Sequence, residues 1–213
     1  VHNTLAIAGQ DQMTRAGRFL WLDWAQAQVV AQEKAPDGTY ERLVARHDGY
    51  RRLGLLHQRT VTAHMAGRWV VEDNLLQVAG LKFKVQGFIQ KYNLGPHIKF
   101  STFNPKPSAL NFRLHWLLPD WPWEINENGK SRFEIRLASP SGFIQILVSA
   151  VCDSRLSPLD SCAQLTRAGE LLYGSGAISP TWGWVSPTYG QKLPALSFSM
   201  NVSSPLPLTL VTE

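Results

Sequence analysis

The first chemistry this sequence offers is a histidine and an arginine two residues apart. His57 and Arg59 lie in the run Leu56-His57-Gln58-Arg59-Thr60-Val61, and Arg113 and His115 in Asn111-Phe112-Arg113-Leu114-His115-Trp116. Residues i and i+2 of an extended backbone share a face, so each pair sets a guanidinium beside an imidazole. A guanidinium grips a carboxylate through two parallel hydrogen bonds, and a protonated imidazole donates as well, so such a face suits a carboxylated sugar. The same spacing also suits a solvated sheet face or an interdomain contact, and the residues leave these readings open. A denser cluster, Arg46, His47, Asp48 and Tyr50 followed by Arg51 and Arg52, falls at a loop, where it either reaches a substrate cleft or caps the end of a sheet.

Aromatic residues point the same way, with a competing explanation. Of the eight tryptophans, Trp21, Trp69 and Trp116 fall in strand-like runs and are expected in the core. Trp182 and Trp184, with Tyr189 nearby, sit in a Gly- and Pro-containing stretch and are the candidates for a surface on which sugar rings stack; the alternative is that they fold the loop onto the sheet. The net charge is +5, and the five lysines between Gln77 and Ala109 (Lys82, Lys84, Lys91, Lys99 and Lys106) equal the whole excess, with no Arg, Asp or Glu among them. Lys82 and Lys84 are therefore candidate contacts for an acidic polymer. Aromatics interleave these lysines, but the rest of the chain is electrically balanced and carries no recognition motif, so nucleic acid is not the expected partner. Phosphate chemistry and serine hydrolysis find no support, because no Gly-rich phosphate loop, HExxH or Gly-x-Ser-x-Gly elbow occurs. Cys152 and Cys162 either close a short disulfide loop or remain free thiols; their spacing is not that of a metal site.

The elements that must position these residues are strands. Period-two alternation marks 18–24, 41–46, 56–63, 68–72, 111–116, 132–138, 143–150, 195–202 and 206–211, with turn chemistry at Asp37-Gly38, Ala66-Gly67, Asn128-Gly129 and across Ser139-Pro140-Ser141-Gly142. A long antiparallel series without an amphipathic helix predicts an all-β fold, a β-sandwich of many strands, and 213 residues suit one such domain. Residues 77–109 break the rhythm and read as a basic insertion. No run approaches the roughly 20 apolar residues that a membrane-spanning helix requires.

In its order of motifs the chain resembles the C-terminal β-sandwich of heparinase II/III-like polysaccharide lyases. The resemblance rests on His2-Asn3-Thr4 opening a strand that ends in Gly9-Gln10-Asp11-Gln12, on His47-Asp48-Gly49-Tyr50, on His57 to Val61 leading to Trp69-Val70-Val71-Glu72-Asp73, and on Trp184 to Gly190. It implies a longer enzyme in which an α-helical toroid domain precedes this one and which cleaves uronate-containing acidic polysaccharides by β-elimination. It also implies a zinc site in that enzyme with His2 as one ligand and the others upstream, no catalytic residue and no bound cofactor within this stretch alone, and a periplasmic, secreted or cell-envelope location in a bacterium. A non-catalytic glycan-binding module and a purely architectural domain are the alternatives.

Overall fold

The computed structural model describes residues 3–17, 19–77, 109–152 and 159–213. In chain order the strands are β1 (Thr4–Ile7), β2 (Thr14–Arg15), β3 (Trp21–Leu22), β4 (Ala27–Lys34), β5 (Tyr40–His47), β6 (Leu55–His64), β7 (Trp69–Gln77), β8 (Leu110–Leu118), β9 (Trp123–Glu127), β10 (Arg132–Ser139), β11 (Gly142–Cys152), β12 (Asp160–Arg167), β13 (Glu170–Tyr173), β14 (Trp184–Val185), β15 (Leu193–Pro194), β16 (Leu196–Ser204) and β17 (Leu208–Thr212), with one 3-10 turn at Arg51–Leu53. Two sheets carry the fold, one of five strands in the order β1-β8-β16-β12-β13 and one of eight in the order β4-β5-β6-β7-β17-β11-β10-β9. The expected antiparallel β-sandwich is what forms.

Alternation explains which side of each strand is buried. In β16, Leu196, Phe198, Met200 and Val202 point into the sandwich, and in β10 Phe133, Ile135 and Leu137 face them. The Phe133 and Phe198 rings meet edge-on across the layers at 6.4 Å, and one hydrophobic cluster joins both sheets, reaching Leu5, Ile7, Tyr50, Leu53, Leu55 and Leu75. At the far edge of the larger sheet β4 is exposed along nearly its whole length.

The outer face of the smaller sheet is polar, yet it is buried. Ser197 and Ser199 of β16 and Gln164 and Thr166 of β12 lose their solvent access because the segment from Gly174 to Ala195 lies across them. Gln164 Nε2 donates to the Ser175 carbonyl at 2.6 Å, and the Gly183 carbonyl accepts from both Ala168 and Ala195 N–H groups. Gly183 has φ of 73°, and a Cβ there would lie 2.7 Å from Arg167 Cα, so the loop approaches β12 as closely as only glycine allows.

Some expectations change. The run 18–24 is not one strand: only Trp21–Leu22 pairs, with Thr14–Arg15, because a turn closed by Ala16 and Gly17 N–H groups on the Leu20 carbonyl and a positive φ at Asp23 interrupt it. Trp21 and Trp69 are exposed rather than core residues; the first sits on the small β2-β3 ribbon, the second beside the turn of the β6-β7 hairpin. Trp116 does pack against the core. Cys152 and Cys162 are free thiols, one in each sheet, so no disulfide links them. The basic insertion lies outside the described residues from position 78 to 108, and His2, Lys82 and Lys84 lie outside them too.

Candidate functional site

Five of the sequence-marked residues gather at one corner of the sandwich. β5 and β6 pair with His47 opposite His57 and Arg46 opposite Gln58, while β6 and β7 pair with Arg59 opposite Asp73. Residues that face the same way on three neighbouring strands are thereby set side by side. His57 Nε2 lies 2.6 Å from Asp73 Oδ1, and Arg59 closes on the same carboxylate with Nε at 2.7 Å and Nη2 at 2.9 Å.

The hydrogen bonds fix the protons. The Gly49 N–H donates to His47 Nδ1 at 3.1 Å, so His47 carries its proton on Nε2 and donates to His57 Nδ1 at 2.8 Å. His57 must then carry its own proton on Nε2 and donate to Asp73. Both rings are neutral in this arrangement, and all four ring nitrogens are occupied. Burial, followed by repulsion from His57, pushes the His47 pKa down to about 4. Burial alone would raise that of Asp73, but hydrogen bonds from His57 and Arg59 outweigh it and hold the carboxyl below its ordinary value. His57 is only 2% exposed. The carboxylate that this arginine–histidine face holds is therefore the chain's own Asp73.

The same corner anchors the start of the sandwich. Arg59 Nη1 donates to the Asn3 carbonyl at 2.6 Å, and Asn3 Oδ1 accepts from the Leu117 N–H at 2.8 Å, so residue 3 is clamped by both sheets. The buried Tyr50 hydroxyl donates to the Leu5 carbonyl at 2.6 Å; burial raises its pKa, so the phenol stays protonated as a donor. Asp48 accepts from the Gln26 N–H and from Arg51. A Cβ on Gly49 would stand 2.9 Å from Gln12 Cβ. Asp48, Gly49 and Tyr50 thus tie the β5-β6 corner to Gln26, Gln12 and Leu5, while His47 braces the corner itself. Arg46 bonds Gln58, and its buried Nε has no partner.

Trp182 and Trp184 lie elsewhere, on the loop covering the smaller sheet. Trp182 receives the Arg113 guanidinium over its ring at 3.6 Å, and burial lowers the pKa of that arginine. Trp184 donates to the Pro180 carbonyl and has Lys192 over its ring at 3.7 Å. One face of each ring is thus occupied by a cation of the same chain. His115 is buried against Ser197 Oγ at 2.7 Å.

Sequence spacing alone does not single out Asp73 and Asn3. A signal for Asp73 was present: it shares a face with Val71 and Leu75, and a carboxylate in that company requires a cation on the adjoining strand. No three His, Cys, Asp or Glu side chains converge on a possible metal position among the described residues, and the ring nitrogens of His47 and His57 and both carboxylate oxygens of Asp73 already hold hydrogen bonds. These residues alone do not fit a zinc site.

Comparison with known proteins agrees with the architecture. Residues 1–206 match the family model described as heparinase II/III-like, C-terminal. A solved heparinase III gene product superposes with a TM-score of 0.56 at 13% identity, covering 100% of this chain and 23% of its own. The same protein with methylated lysines gives 0.53 at 13% identity and the same coverage. The chain therefore spans under a quarter of the length of these solved proteins, and at such identity the likeness concerns the fold. No curated protein matches.

Proposed function

Because the chain belongs to the heparinase II/III-like C-terminal family, we propose that it is the C-terminal β-sandwich of a polysaccharide lyase that cleaves uronate-containing acidic polysaccharides by β-elimination. In that reaction a base removes the proton from the carbon bearing the carboxylate. A double bond forms as the neighbouring glycosidic C–O bond breaks, and the departing oxygen takes up a proton. The carboxylate must be neutralised as charge builds on that carbon. In this reading the base, the acid and the neutralising donors reside in a preceding α-helical toroid domain, and the sandwich walls one side of the cleft and is inactive by itself.

The observation that carries the proposal is the double clamp on Asn3 by Arg59 and Leu117. The buried corner is spent on fixing the entry to β1, one residue after His2, which suits a chain whose first residues serve a site shared with another domain. His2 would contribute one zinc ligand there, its partners coming from outside this chain. The cations over Trp182 and Trp184 favour this reading over a free-standing glycan-binding module.

The test is made on the full-length protein, with His2 intact and as His2→Ala, assaying metal content and the ultraviolet absorbance of the unsaturated product on a panel of polyuronates. Joint loss of zinc and product supports a shared site, whereas no product from the intact protein on any polyuronate overturns the lyase reading.

A further inference from the structure

Thr14–Arg15 and Trp21–Leu22 pair as a small ribbon, and the apolar side chains from Phe19 to Trp24 have nothing to cover them among the described residues. Phe19 is 91% and Trp24 70% exposed, and Leu20, Trp21 and Leu22 between them are exposed as well. Five large exposed apolar side chains within six positions are not scattered surface residues; a patch of this kind marks a contact.

The ribbon is built to hold its shape. Thr14 Oγ1 donates to Asp23 Oδ2 at 2.8 Å, and Trp24 Nε1 donates to the Trp21 carbonyl at 2.8 Å. Arg52 bonds the Asp11 carbonyl and Thr14 and lies 3.5 Å from Asp23, while Arg51 donates to the Trp24 carbonyl. A surface fixed in this way loses little entropy when it is buried. Its base returns to the beginning of the sandwich, where Gln12 Nε2 donates to Thr4 Oγ1 at 2.8 Å.

We infer that this ribbon is the docking arm onto which the domain preceding residue 3 packs in the intact enzyme, with Phe19, Trp21 and Trp24 as its anchors; this rests on the reading given under Proposed function. The occupant follows from two observations. A domain joined at residue 2 emerges beside the ribbon, since Thr4 and Gln12 are bonded and Asn3 is clamped to both sheets. The composition also excludes a sugar platform as the better fit. A stacked sugar needs one flat ring flanked by hydrogen-bond donors, whereas the exposed Leu20 and Leu22 here stand among Phe19, Trp21 and Trp24, so the surface is hydrocarbon throughout, as a protein interface core is.

Hydroxyl-radical footprinting of the full-length protein tests this, with a tryptophan-containing tracer peptide in the same tube as the rate standard. Docking predicts that Trp24 is oxidised about fivefold or more slowly than its exposure in this chain would allow, because an interface core is almost fully desolvated. Oxidation of Trp24 at the rate of an exposed tryptophan overturns the inference. Protection that appears only with added oligouronate, or that disappears on dilution, overturns it in favour of a sugar or of a second copy. The unsaturated-product assay on the same sample keeps the two readings apart: a protected Trp24 in a protein without lyase activity leaves docking standing and removes the lyase, and an exposed Trp24 in an active lyase does the reverse. Phe19→Ser with Trp24→Ser gives an independent reading, in which a single thermal transition of the intact protein is expected to split in two; one unchanged transition counts against docking.

Discussion

Asp73→Asn should be among the most damaging single-atom exchanges in this protein. The Asp73 side chain has no solvent exposure and accepts three charge-assisted or short hydrogen bonds, from His57 at 2.6 Å and from Arg59 at 2.7 and 2.9 Å. Asparagine keeps the shape but removes the charge and turns one acceptor into a donor, which must then face a donor of either His57 or Arg59. Breaking a buried ion pair from one side costs about 3–5 kcal/mol, and because the Arg59 side chain retains 23% exposure, the loss belongs at the lower end, about 3 kcal/mol. Urea unfolding followed by tryptophan fluorescence measures it as a fall in midpoint at unchanged slope. The companion measurement is the Arg59→Met, Asp73→Leu pair, which removes both charges. Arg59→Met alone forfeits the bond to Asn3 and strands Asp73, so the double variant should be less destabilised than the sum of the singles by about 2 kcal/mol. A loss below about 1 kcal/mol for Asp73→Asn, or additive singles, would mean that water reaches the carboxylate and that the corner is not the closed network described.

Three further outcomes are expected. His47 titrates near 4 in the folded chain against about 6.5 when unfolded, so the unfolded state binds the extra proton between these values, and stability should fall by on the order of 2–3 kcal/mol as the pH drops from about 6.5 to 4. His47→Gln should flatten that window in pH-dependent urea melts and leave the loss at lower pH, where Asp73, held below the ordinary carboxylate value, takes up its proton. Tyr50→Phe deletes the buried bond to the Leu5 carbonyl and should cost about 1–2 kcal/mol, with faster hydrogen exchange concentrated in β1. Gly183→Ala forces a Cβ against Ala168 N and Arg167 Cα at positive φ and should cost about 2–4 kcal/mol, with a change in tryptophan emission as Trp182 leaves Arg113.

Where one face of a strand is apolar and the other polar, the sequence disclosed the fold. β5, β6, β10, β11, β16 and β17 were all legible in that way, and so were the turns at Gly38, Gly67 and Gly129. The strands β4 and β12 were not, for opposite reasons: β4 lies open to solvent on both sides and therefore lacks a contrast, whereas β12 carries Gln164 and Thr166 on an outer face that the Gly174–Ala195 segment buries. The overestimate at 18–24 has another origin, since a turn onto the Leu20 carbonyl and the positive φ at Asp23 break a run that alternates in sequence. At the candidate site, the spacing of His57 and Arg59 identified a carboxylate-holding face, but the owner of the carboxylate depended on the register between β6 and β7. Only strand pairing brings Asp73, 14 residues from Arg59, into the same plane.

The middle strand of each sheet comes from the last residues described: β16 lies between β8 and β12, and β17 between β7 and β11. During synthesis the β4-β7 meander and the β9-β11 meander can each zip up as soon as they leave the ribosome, but they remain two ribbons with open edges until residues 208–212 emerge and join them. The nascent protein must therefore carry the unpaired edges of β7 and β11 until β17 is made, a condition that invites chaperone binding. The two strands also differ in what their loss would do: deleting β17 severs an eight-stranded sheet, while deleting β4 only trims its rim.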